Sequence, residues 1–154
     1  MDLNKLSLGD KIVAGAGILL ALLLLIFPWH SATFGEGDFK VTFEAGAFEG
    51  EGDAVAWPAV LAILLLIAVV AVVLIRKLTT TELPELPIAW KQAIFYATIA
   101  IPVLLLLKLL MFNESLAFWA YLDILVGIGI AYGGFLIFQE ADETAAGSAP
   151  PTPF

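Results

Sequence analysis

The sequence predicts an all-α integral membrane protein, with four transmembrane helices in a bundle and a short β-hairpin in the outer loop. Three observations carry that prediction. Of 154 residues, 61% belong to the set AVILMFWYC and 14% are charged, against roughly 45–50% apolar (glycine included) and 25% charged in an average soluble domain. The mean hydropathy is +0.99, so the apolar surface exceeds what so small a body can bury from water. Finally, four runs with at most one charge each reach the ~20 residues that a helix needs to cross a hydrocarbon core about 30 Å thick.

The elements follow in order. Span one, residues 10–30, opens on Asp10 and Lys11 and then enters a stretch from Ile12 to Gly35 without an acid, lysine or arginine. Its basic start and apolar body also fit a signal peptide, but His30 stands where a small residue is wanted for cleavage after Ala32, so the span is expected to stay. Span two, residues 56–77, is built on the run from Ala54 to Ile75, 22 residues without a charge. Span three, residues 88–112, is built on Gln92 to Asn113, which holds one charge, Lys108; span four, residues 116–139, holds one, Asp123. Such runs suit helices rather than barrel strands, which alternate over about ten residues. Residues 140–154, rich in Ala, Gly, Ser, Pro and acid, form an acidic tail expected to be disordered.

Lysine and arginine set the orientation. Lys5 and Lys11 precede span one, and Arg76, Lys77 and Lys91 lie between spans two and three. The first loop has only Lys40, and the third connection has none. The termini and second loop are therefore predicted to be cytoplasmic, in a multi-pass protein of the cell membrane. Trp29, Trp57, Phe112, Phe118, Trp119 and Tyr121 are expected to ring the outer interface and Trp90 the inner one.

Outside the bilayer, Phe39, Val41 and Phe43 alternate with Lys40, Thr42 and Glu44, a period of two that predicts a strand. Ala45-Gly46 is expected to turn the chain and Ala47-Phe48 to begin the return strand. Gly35-Glu36-Gly37-Asp38 recurs as Gly50-Glu51-Gly52-Asp53; its acids suit a cation site or, since the EF-hand spacing is missing, two soluble turns. The prolines of the second loop, Pro84 and Pro87, make it a short, stiff connection.

The absence of cysteine excludes disulfides and thiolate metal sites, and a single histidine excludes bis-histidine haem and multi-histidine zinc. The net charge of −8 argues against nucleic acid. No catalytic, cofactor or metal motif occurs. Lys108 and Asp123 lie roughly 6 and 9 Å below the outer helix ends on antiparallel neighbours, so an intramembrane ion pair is predicted. It has two readings, an ion or proton relay or a structural pair with a snorkelling lysine. His30 reads either as a pH or ligand contact or as a wetted helix end. Pro102 frees the carbonyl of Thr98, so a kink is expected there. Gly129-x-x-x-Gly133, beside Gly134, offers a flat face for helix packing or for a partner.

The four-span plan is similar to the claudin-type layout in topology alone, without that family's Gly-Leu-Trp motif or paired cysteines. Small multidrug exporters carry a glutamate in span one, absent here. Leu8-Gly9-Asp10-Lys11, Phe27-Pro28-Trp29-His30 and Gly127 to Glu140 resemble small uncharacterised four-span membrane proteins of actinobacteria. That resemblance implies a fold and no activity. The function expected from these readings is a non-catalytic accessory or assembly subunit of a larger membrane complex. Its partners are the lipid bilayer and other membrane subunits, which Phe39, Val41 and Phe43 of the outer loop would contact. The alternative is a small oligomeric transporter or channel using Lys108 and Asp123.

Overall fold

The computed structural model describes residues 3–49, 56–79, 87–111 and 116–140. A 3-10 turn, Leu3–Lys5, leads into α1, Leu8–Ile26. Strands β1, Pro28–Phe34, and β2, Val41–Gly46, follow, then α2, Trp57–Leu78, α3, Trp90–Met111, and α4, Phe118–Gln139. All four of these helices are long and apolar enough to cross a membrane. At 19 and 22 residues they measure roughly 28 and 33 Å, matching a bilayer core.

Each helix packs on its neighbours in the order α1, α2, α3, α4 and back to α1, a closed up-and-down ring. Without a hydrophobic drive between helices in lipid, close contact must supply the association energy, and small residues permit it. Glycines do so at three seams. A side chain at Gly133 would come within 2.8 Å of Ile12, and one at Gly17 within 2.6 Å of Val70. On the α3–α4 seam, Gly127 faces Pro102 and Gly134 faces the Thr98 hydroxyl. Gly129, in contrast, faces open space. The Gly129/Gly133 stripe is therefore divided, with Gly133 inside the α1–α4 contact and Gly129 on the outside of the bundle.

The hairpin exists, but its pairing differs from the expected one. β2 pairs with the segment before it, not with Ala47-Phe48: Phe34 lies opposite Val41, Ala32 opposite Phe43, and Ser31 opposite Glu44. Span one accordingly ends four residues early, at Ile26 rather than at 30, because Pro28 has no N–H to continue a helix and begins β1 instead. The turn between the strands uses Gly35 and Gly37 at φ of 107° and 65°, a region open to glycine and strained for other residues. The first copy of the Gly-Glu-Gly-Asp repeat is thus the hairpin turn. The second copy, the loop over 80–86, Phe112 and the tail beyond Glu140 lie outside the described residues. α3 runs as one helix through Pro102.

Candidate functional site

The candidate site is the end of the bundle that carries the hairpin. Between the pairs Pro28–Gly46 and His30–Ala45 the register slips by one residue, and Trp29 is the extra residue of that bulge. A bulge re-aims a side chain, and Trp29 becomes fully buried among the helix ends instead of ringing the interface. Its indole Nε1 donates to Asp123 Oδ2 of α4 at 2.5 Å. Its carbonyl accepts from the Ala117 N–H at 2.8 Å, just before α4 begins. Lys108 Nζ of α3 lies 5.4 Å from the centroid of the same ring, within the range where a cation is attracted to an aromatic face.

Lys108 and Asp123 are both fully buried. The lysine does not snorkel to water: it is fully buried, with its Nζ over the Trp29 ring. Asp123 Oδ1 has no hydrogen-bond partner among the described residues. The sequence named both charges, and Trp29 contacts each of them. His30 is not a wetted helix end: it is buried in β1 and bridges to Leu116. Phe27 at the end of α1 stacks on Trp119 at 4.0 Å. Phe118 and Tyr121 are exposed.

Beyond this root the hairpin is two-faced. Residues opposite each other share a face, and faces alternate along a strand. Phe34, Val41, Ala32 and Phe43 therefore form one face, and Thr33, Thr42, Ser31 and Glu44 the other. The Thr33 and Thr42 hydroxyls hydrogen-bond at 3.1 Å on the polar face. On the apolar face Phe34 and Phe43 meet edge-on at 6.1 Å, and both remain 63% exposed; Phe39 in the turn is 88% exposed.

The opposite end of the bundle carries a second charged cluster that sequence reading missed. Ser7 caps α1 and exchanges hydrogen bonds with Asp10, a capping box whose Ser-x-x-acid spacing is legible in the chain. Lys77 Nζ reaches Asp10 at 3.8 Å and Glu140 at 3.9 Å, and Lys91 donates to the Glu140 carbonyl at 3.2 Å. This ties all four helices at that end. Among the described residues no group of His, Cys, Asp and Glu is placed to hold a metal ion.

These features define the class: a polytopic membrane protein of four apolar helices, with a hairpin rooted in one end. Comparison with protein families, curated proteins and solved structures finds no match for the chain.

Proposed function

We propose that the protein is a non-catalytic accessory or assembly subunit of a larger complex in the cell membrane, and that the hairpin is its docking element. The observation that carries this reading is the exposed apolar face of Phe34, Val41 and Phe43 on a hairpin whose root is held by Trp29. Apolar patches that a rigid support keeps exposed mark interaction sites. Native mass spectrometry from mild detergent is the test. The wild type should carry a different membrane subunit, and Phe43→Asp should release it with an unchanged melting temperature. A wild type that runs alone, or a variant that keeps its partner, overturns the reading.

The orientation belongs to the same proposal: termini and second loop in the cytoplasm, hairpin outside. Arg76, Lys77 and Lys91 at one end against Lys40 alone in the hairpin support it. A cysteine at Thr42 should react with an impermeant thiol reagent in intact cells, and one at Thr79 should not. The reverse pattern overturns it.

A second reading, a small oligomeric transporter or channel, draws support from Asp123, whose Oδ1 is buried without a hydrogen-bond partner among the described residues. Buried carboxylates in membranes mark ion and proton paths. Solute or proton flux into liposomes holding the purified protein alone, lost in Asp123→Asn, would favour it over the first reading.

A further inference from the structure

We propose that the groove between α2 and α3 is a binding site for an anionic phospholipid, with an acyl chain in the groove and the phosphate at Arg76. The groove has a volume of about 130 Å³, and its walls include Leu65, Val69 and Val72 of α2 and Trp90, Ala93 and Ala97 of α3. The two alanines keep it open where larger side chains would close the seam. Any apolar surface in a bilayer is covered by acyl chains, so the groove alone selects no lipid. Selection comes from what stands at its end.

Arg76 follows Val72 by four residues and so continues the groove-lining face of α2 one turn further. It is exposed and lies two residues before the end of α2, at headgroup depth. Trp90, the first residue of α3, lines the same end, and tryptophan prefers that depth. The neighbouring Lys77 is engaged by Asp10 and Glu140, whereas Arg76 forms no ion pair among the described residues. A guanidinium offers a planar fork of donors that matches two phosphate oxygens. A headgroup with net negative charge is favoured over a zwitterionic one, whose own ammonium already compensates the phosphate.

The test is native mass spectrometry of the purified full chain in mild detergent, titrated with phosphatidylglycerol and with phosphatidylcholine. Phosphatidylglycerol should bind about fivefold more tightly, the selectivity expected of one basic side chain at the headgroup. Arg76→Gln, an exposed substitution, should reduce its affinity to that of phosphatidylcholine. Ala93→Leu should weaken both lipids at least fivefold by filling the groove, while Lys40→Gln on the hairpin should change neither. Selectivity that survives Arg76→Gln overturns the proposal. So does glycerol 3-phosphate that displaces the lipid as well as an intact phospholipid does, because the groove would then contribute nothing.

Discussion

At the hairpin end, Lys108 and Asp123 are sealed from solvent and meet through an aromatic ring supplied by a third element. At the opposite end, Asp10, Lys77 and Glu140 meet at 3.8 and 3.9 Å; Asp10 is buried but also bonded to Ser7, while the Lys77 side chain is 22% and that of Glu140 34% exposed. The physics of the two clusters differs accordingly. A buried charge has no water to fall back on, so removing its partner leaves a costly orphan. A half-exposed pair exchanges one set of contacts for hydration and is worth little. The hairpin end should therefore be the rigid end of the bundle, which is where the proposed docking element is rooted.

The largest effect should come from Trp29. Trp29→Ala empties a fully buried site and removes both the N–H on Asp123 and the ring beneath Lys108. We expect a loss of about 3–5 kcal/mol in detergent unfolding. Trp29→Phe keeps most of the ring and loses the donor, at about 1–3 kcal/mol. A Phe variant as stable as the wild type would mean that the Asp123 hydrogen bond contributes nothing, and the contrast between the two ends would collapse.

Much of this architecture was legible in the chain. Four uncharged or singly charged runs predict the helices because bilayer thickness leaves few alternatives, and the period of two at Phe39 to Glu44 predicts β2. The pairing partner was not legible, because Pro28 to His30 reads as the end of span one and Ser31 to Phe34 carries no period of two that marks a strand. Lys108 and Asp123 stood out as rare charges, but no local pattern connects Trp29 to Asp123, 94 residues away. Asp10 enters the sequence reading as the first residue of span one, and Lys77 as an orientation signal. Their contact depends on how α1 and α2 pack.

The glycines of α4 sharpen the comparison between inside and outside. A methyl group at Gly134 would land on the Thr98 hydroxyl, whereas one at Gly129 would meet nothing within 4 Å. Thr98 is fully buried and its hydroxyl donates to the Phe95 carbonyl at 2.8 Å, so it has little room to yield. Gly134→Ala should cost about 1–3 kcal/mol by overpacking. Gly129→Ala should be neutral or stabilising by up to ~1 kcal/mol, since alanine restricts the unfolded chain and favours helix. Equal effects at the two positions would show that α4 is rotated from the orientation described.

The smallest effect is expected at Lys77. Lys77→Gln removes the cation shared by Asp10 and Glu140, yet neither acid is stranded by its loss. Asp10 keeps its reciprocal hydrogen bonds with Ser7, and the side chain of Glu140 is 34% exposed and so reached by water. Lys91 still holds the Glu140 backbone carbonyl. The loss should therefore be ~1 kcal/mol or less, and it should shrink as salt is raised, because screening already weakens a pair at nearly 4 Å that water reaches. Thermal unfolding in detergent at low and high ionic strength gives the answer. A loss comparable to that of Trp29→Phe and indifferent to salt would mean that Asp10, whose side chain is only 2% exposed, depends on Lys77 as a buried charge does. The two ends of the bundle would then be held by the same kind of force.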